Sequence, residues 1–353
     1  MISHITISGR KIGPGFPAYV IAEMSANHNQ HFAQAEEIVR AAKEAGADAI
    51  KLQTYTADTI TIDCSSPHFQ IGKGSLWEGK NLYGLYGEAF TPWDWQPRLK
   101  RVADSLGLTL FSSPFDNTAV DFLEAISVPA YKIASFELVD NGLLSKVAAT
   151  GKPVIMSTGM ASLGEIDAAV SHLRAHGCTE IALLKCTSAY PASAHEINLR
   201  TIPNMAEVFH LPVGLSDHTL GVAVPVAAVT IGAHIIEKHL TLSRANGGVD
   251  SAFSLEPGEF KTMVDAIRVA ELSLGTVSYS VTEKEKESRR FRRSLFVVQD
   301  IRCGEPFTES NVRSIRPAGG LSPRHLETVL GCRAVCSIEK GTPLNWSLVA
   351  NPR

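Results

Sequence analysis

Short apolar runs rich in β-branched and aromatic residues recur between Tyr19 and Thr241, and nearly every one is followed by a segment whose apolar residues return with helical spacing. The runs are YVIAEM (19–24), AIKLQTY (49–55), LTLFSSP (108–114), AYKIAS (130–135), VIMSTGM (154–160), IALLKCTS (181–188), VGLSDHT (213–219) and IIEKHLT (235–241). Eight strand–helix units predict an α/β fold of the (β/α)8 TIM-barrel type. The helical segments agree: AEEIVRAAKEAGA sets Ile38, Ala41, Ala42 and Ala45 on one stripe before Gly46, and similar patterns lie at 97–107, 118–126, 163–177 and 257–275. A doubly wound open sheet is the competing arrangement, but no GxGxxG follows the first run.

The connection between the second and third runs breaks the rhythm, being about fifty residues long and carrying Trp77, Tyr83, Tyr86, Trp93 and Trp95. These aromatics either form a small core under the loop or roof a ligand. The most apolar stretch, Val222 to Ile236, is too short for a bilayer and is read as a buried helix. After Gly275 the composition changes. A barrel over 1–275 is expected to be followed by a charged linker, 276–293, containing TEKEKESRRFRR, and then by a small β-rich domain, 294–353. Within that domain DIRCGEPFTESNV (300–312) is echoed by SIEKGTPLNWSLV (337–349), the mark of a pseudo-symmetric module.

Length and charge narrow the function. A chain of 353 residues holds one large domain and one small one. A net charge of −3 with dispersed Lys and Arg lacks the basic stripe of a nucleic-acid binder, so small molecules are the expected partners. Six cysteines without a CxxC pair, and an N-terminus without an apolar signal core, point to the reducing cytoplasm with no membrane association.

Barrel active sites form at the C-terminal ends of the strands, and here those ends are polar without exception. Glu23, Lys51, Gln53, Ser113, Lys132, Ser135, Ser157, Lys185, Ser188, Ser216, Asp217, His218, Glu237 and His239 all fall there. Such groups cost several kcal/mol each when buried alone, so ligands or mutual pairs must satisfy them. One internal pair such as Glu23 with Lys51 is an ordinary structural feature; a complete ring is not. Lys51 and Lys132 amid serine hydroxyls suit a small anion bearing phosphate and carboxylate, whereas a lone barrel lysine would equally suit a Schiff base. His218 and His239 close neighbouring runs, and Glu237 shares the strand face of His239, an arrangement fit for a divalent metal.

The ordered set IAEMSANHN, AIKLQTYT, FSSPFD, AYKIAS, STGMAS, KCTSAYP, GLSDHT and IEKH resembles the nonulosonic (sialic) acid synthases from about Tyr19 onward. The C-terminal module, with RSLF and SIRPAGGLSP, is similar to their antifreeze-like (SAF) domain. Within the family, LWEGKNLYGLYGEAFTPWDW (76–95) resembles the pseudaminic acid branch rather than the N-acetylneuraminic or legionaminic ones.

The resemblance implies condensation of phosphoenolpyruvate with an open-chain amino sugar, 2,4-diacetamido-2,4,6-trideoxy-L-altrose for this branch. It implies phosphoenolpyruvate contacts from Lys51, Ser113, Lys132, Ser135, Ser157, Ser188 and Ser216, and sugar contacts from Gln53, Tyr190, Asp250 and Arg316. It further implies a metal, Mn2+ or Mg2+ with Co2+ as a third option, on His218 and His239, and a water oriented by Glu23 or Glu237. Ser188 departs from the asparagine usual in the N-acetylneuraminate branch. Finally, the resemblance implies a domain-swapped homodimer in which the small domain of one subunit covers the barrel mouth of the other.

Overall fold

The computed structural model describes residues 4–72 and 76–350, and the chain divides into two compact units, 1–275 and 276–353. In the first, eight parallel strands close into a barrel: β1 (Tyr19–Glu23), β2 (Ala49–Thr54), β3 (Thr109–Pro114), β4 (Tyr131–Ile133), β5 (Val154–Ser157), β6 (Ile181–Cys186), β7 (Val213–Asp217) and β8 (Ile235–His239). They lie in chain order, and β8 pairs with β1 to close the ring. Both strand faces are covered, one by the barrel interior and one by helices, which explains runs that are apolar throughout rather than alternating. The expected runs overshoot most strands at the C-terminal end, because residues such as Ser135 and Ser188 have left the ladder for the loops that build the mouth.

The helical layer consists of α1 (Phe32–Glu44), α2 (Gln96–Ser105), α3 (Asn117–Ala125), α4 (Asn141–Ala148), α5 (Leu163–Ala175), α6 (Thr201–Phe209), α7 (Ala223–Thr230) and α8 (Pro257–Leu274). Several starts are written in the sequence. Asp116 and Asp140 accept from the first amides of α3 and α4, and Ser162 with Glu165 forms a capping box on α5. On α1 the buried stripe is Ala35, Ile38, Val39 and Ala42, so Val39 takes the place expected of half-buried Ala41. The stretch 222–236 is not one buried helix: α7 ends at Thr230, Gly232 turns the chain with φ 105°, and β8 begins at Ile235. An N-terminal hairpin, Ile5–Ile7 with Arg10–Ile12, adds Ile5, Ile7 and Ile12 to the barrel core; three-residue strands are too short to show a period.

The long loop answers to both readings. Trp93 packs on Phe122, Trp95 on Phe32 and Tyr86 on Tyr55, forming a small core, while Trp77 reaches Tyr190 with ring centroids 5.7 Å apart.

In the second unit, the charged run forms a short helix (Glu283–Ser288) started by a Thr282–Glu285 capping box. Strand β9 (Ser294–Val297) pairs antiparallel with β10 (Val312–Ile315), and β11 (Arg333–Ala334) with β12 (Val349–Ala350). The two halves of the sequence repeat face each other. Ile301 and Ile338 exchange backbone hydrogen bonds, Phe307 matches Leu344 and Val312 matches Val349 in one core, and Gly304 and Gly341 take φ of 80° and 91° at equivalent turns. No helix among the described residues is long and apolar enough to cross a membrane.

Candidate active site

The period of two along a strand sorts the polar strand ends into two layers. On β2, Lys51 and Gln53 face the barrel mouth, while Thr54 faces the helices, where it bonds Gln96 and Ser112. Asp217 and Lys238 likewise turn outward as a fully buried ion pair at 2.5 Å, leaving Ser216, His218, Glu237 and His239 on the inner face. Lys185 does not join the mouth. It lines an open cavity outside the barrel with His195, Asn198 and Arg200, its Nζ donating to the Cys186 carbonyl at 2.7 Å.

At the centre lie two lysines and two glutamates, all at least 95% buried. Lys51 Nζ stands 2.8 Å from Glu23 Oε2 and 3.8 Å from Glu237 Oε1, and donates to Ser113 Oγ at 3.2 Å. Lys132 Nζ donates to Ser157 Oγ at 2.6 Å and stands 3.7 Å from the same Glu237 oxygen, which also accepts from Ser216 Oγ at 3.1 Å. Glu237 thus lies between the two ammonium groups.

Burial disfavours all four charges, and the balance with neighbours differs at each. Burial pushes the Glu23 carboxyl up to about 7 against the pull of Lys51, with Glu237 adding to the rise. At Glu237 burial acts the same way, but Lys132 and Lys51 outweigh it and hold the carboxyl below the ordinary carboxylate range. Burial lowers Lys132 despite Glu237, whereas at Lys51 the two glutamates prevail over burial and raise it.

On one side of this cluster Gln53 Nε2 donates to Glu23 Oε1 at 2.9 Å and to Ser25 Oγ at 3.1 Å, and Ser25 donates to buried Asp250. On the other side the His218 and His239 rings lie 5.3 Å apart, tilted by 60°. Phe253 packs on both imidazoles, and the Tyr190 ring lies 4.5 Å from His218. His218 Nδ1 meets the Thr187 carbonyl at 3.0 Å, which fixes the proton on Nδ1 and leaves the Nε2 lone pair free. His239 Nδ1 and Glu237 Oε2 are buried without a hydrogen-bond partner. An orphaned buried acceptor costs about 1–3 kcal/mol, so the unpartnered His239 nitrogen beside His218 fits a divalent ion. Among the described residues no three His, Cys, Asp or Glu side chains are spaced to enclose one. The two imidazoles would therefore leave positions for water and substrate.

Ser135 and Ser188 flank Gly159. A Cβ at Gly159 would stand 2.4 Å from Ser135 Cβ and 2.7 Å from Ser188 Oγ, so only glycine lets STGM pass beside both hydroxyls. The inner face thus gathers Glu23, Lys51, Gln53, Ser113, Lys132, Ser135, Ser157, Ser188, Tyr190, Ser216, His218, Glu237, His239 and Asp250. Arg316 lies in the second unit and is exposed.

Reading the strand ends overlooked Ser25, Gly159, Cys186 and Glu137. Cys186 lies against His218 Nδ1 at 3.9 Å. Glu137 carries a buried, unpartnered Oε2 and is pushed up to about 7 by burial, with Lys132 and Lys51 within electrostatic reach. Period-two parity from Leu184 could have found Cys186. Ser25 and Gly159 sit in turns and Glu137 opens a single 3-10 turn of helix (Glu137–Val139), where strand parity says nothing.

Comparison with known proteins identifies the family. Residues 38–279 match the NeuB family and residues 292–350 the SAF domain. Pseudaminic acid synthase from Helicobacter pylori is 44% identical over 93% of this chain and 97% of its own length, and the one from Campylobacter jejuni serotype O:23/36 is 43% identical over 93% and 96%. Among solved structures, N-acetylneuraminic acid synthetase from Leptospira borgpetersenii, in complex with citrate, is 31% identical with a TM-score of 0.72, covering 82% of this chain and 95% of that one. The closed eight-stranded barrel with its ring of lysines, serines, glutamates and paired histidines, followed by a SAF domain, places this chain in the NeuB family.

Proposed function

We propose that this chain condenses phosphoenolpyruvate with 2,4-diacetamido-2,4,6-trideoxy-L-altrose and water, releasing pseudaminic acid and phosphate. The observation that carries the reading is the pair of buried ammonium groups, Lys51 and Lys132, each hydrogen-bonded to a serine and both facing Glu237. Named pseudaminic acid synthases at 43–44% identity support the choice of sugar.

In this reading Lys51 and Lys132 hold the phosphate and carboxylate of phosphoenolpyruvate, with Ser113, Ser135, Ser157, Ser188 and Ser216 donating hydroxyls. Gln53, Tyr190 and Asp250 contact the sugar. A divalent ion, Mn2+, Mg2+ or Co2+, would be held by His218 and His239, and when bound would supply Lewis-acid polarisation of the sugar aldehyde. C3 of phosphoenolpyruvate attacks C1 of the open-chain sugar, forming the carbon–carbon bond as the aldehyde π bond opens and its oxygen takes a proton from the Glu23 carboxyl. Water adds at C2, its proton passing to Glu23 or Glu237, and the tetrahedral intermediate collapses to the ketone as its C–O bond to phosphate breaks and its hydroxyl proton leaves with the phosphate. Glu23, poised near neutral pH, can both take and return a proton.

The reading includes a homodimer working in the cytoplasm, in which Arg316 of one subunit serves the sugar of its partner. Mixing Arg316→Ala with Lys132→Ala protein under subunit exchange then regenerates one intact site per mixed dimer. Activity returns toward about a quarter of wild type, and no recovery despite exchange removes Arg316 from a partner's site.

The deciding experiment measures phosphate release from phosphoenolpyruvate with a panel of 2,4-diacetamido and 2-acetamido sugars. Turnover with the altro-configured 2,4-diacetamido sugar is expected. Preference for N-acetylmannosamine or for the legionaminic precursor would overturn the sugar assignment, and borohydride trapping of a pyruvate adduct would overturn the condensation itself.

A further inference from the structure

Ser25 lies in the turn after β1, two residues past Glu23. It is 3% exposed and its φ is 47°, in the left-handed region that costs a serine energy and that glycine adopts freely. Strained backbone persists at such a position when the side chain is needed. The side chain here has two partners from distant parts of the chain. Its oxygen accepts from Gln53 Nε2 at 3.1 Å, and its proton goes to Asp250 Oδ2, 225 residues away.

That one hydroxyl fixes the direction of every hydrogen bond around it. A serine has a single proton, and Asp250, an acceptor, takes it; the group Gln53 turns toward Ser25 must then be its donor. The same Nε2 donates to Glu23 Oε1 at 2.9 Å, so both amide protons of Gln53 are committed inward. Its carbonyl oxygen is left to face the mouth. Asp250 accepts from Ser25 on one side and from the Ala26 backbone amide on another, contacts that favour its carboxylate against burial, and a carboxylate can only accept.

We infer that Ser25 is a positioning residue that sets the sugar side of the mouth as a wall of hydrogen-bond acceptors, Gln53 Oε1 and Asp250, which selects a substrate presenting hydroxyl or amide N–H donors there. The inference rests on the proposed function and adds to it the polarity by which the sugar is read. Without the hydroxyl, Gln53 keeps only Glu23 to hold its amide and Asp250 loses the side-chain donor that orients it. Phosphoenolpyruvate, held by the lysines across the mouth, is unaffected.

The test compares Ser25→Gly and Ser25→Ala in the full chain, because strain and hydroxyl separate in that pair. Glycine removes both and alanine removes only the hydroxyl, so Ser25→Ala melts lower than Ser25→Gly, while both raise the sugar KM by about tenfold and leave the phosphoenolpyruvate KM within about twofold. In an Asp250→Asn background, Ser25→Gly costs less than about twofold more, since the residues act as one unit. Wild-type sugar KM in Ser25→Gly overturns the inference alone, as does full additivity with Asp250→Asn. Absence of wild-type turnover with every amino sugar overturns the function beneath it, and the inference with it.

Discussion

Lys132 offers a perturbation whose effects on activity and stability should part company. Methionine at this position keeps the length and apolar stem while removing the ammonium. In the structure that ammonium is 98% buried, donates to Ser157 and faces Glu237 at 3.7 Å, and burial already lowers its pKa. Removing a buried charge recovers its desolvation penalty, and Glu237 keeps Lys51 and Ser216 as partners. The loss of stability should therefore stay below the roughly 3–5 kcal/mol that a buried charge left without a partner costs. Catalysis has no such compensation. A charge-assisted contact to the anion is worth about 1.5–3 kcal/mol, or roughly 10- to 150-fold in kcat/KM. The assay is initial-rate phosphate release with phosphoenolpyruvate varied at saturating sugar, beside thermal unfolding of the same preparation. The expected result is about a 10- to 150-fold loss read in phosphoenolpyruvate, with the protein still folded at the assay temperature. A loss confined to the sugar KM, or a fall in Tm large enough to account for the lost activity, would refute the assignment of Lys132 to the anion.

Three further outcomes follow from particular groups. His218→Ala and His239→Ala should each leave a folded protein with little activity, and chelated wild type should regain turnover on addition of Mn2+ or Mg2+; full activity after exhaustive chelation would remove the metal. Gly159→Ala should lose activity steeply, because the new Cβ would stand 2.4 Å from Ser135 Cβ and displace that hydroxyl or Ser188; near-normal kinetics would show that neither serine needs its observed place. His28, buried against Thr91 and Trp95, has its pKa lowered by burial to about 4 from an ordinary 6.5. The folded state then binds fewer protons than the unfolded one between those values, so stability falls with acidification through this window, by about 2 kcal/mol from pH 7 to 5. Urea unfolding of wild type and His28→Gln at both pH values checks it, and an equal pH dependence in the two proteins would count against it.

The barrel was legible because parallel strands buried on both faces leave unbroken apolar runs, and the polar ring because charges at the ends of such runs have no other reason to be there. Parity carried the reading further than spacing alone. Ser216, His218, Glu237 and His239 fall on one face and Asp217 with Lys238 on the other, as a period of two requires. What stayed hidden depends on contacts between distant segments that have no period. Ser25 meets Asp250 across 225 residues, Gly159 is constrained by Ser135 and Ser188, and Trp77 leaves the loop's small core to meet Tyr190. The apolar stretch 222–236 misled because apolar character alone does not say where a buried helix ends and a buried strand begins.

The Glu23–Lys51 pair is at once an ordinary internal salt bridge and a part of the proposed chemistry. The mouth neutralises itself: Glu23 pairs with Lys51, and Glu237 lies between Lys51 and Lys132. An entering anion must therefore exchange for these carboxylates rather than fill a vacant positive site, and a multiply charged one gains more by the exchange than a monoanion. Lys51 is also the main influence holding the Glu23 carboxyl down against burial. In the proposed chemistry phosphoenolpyruvate engages Lys51 and brings its own negative charge, so that influence weakens and the protonated form of Glu23 is favoured. Anion binding thus prepares Glu23 to give a proton to the aldehyde oxygen as the carbon–carbon bond forms, and the carboxylate so produced can take one from the water adding to C2.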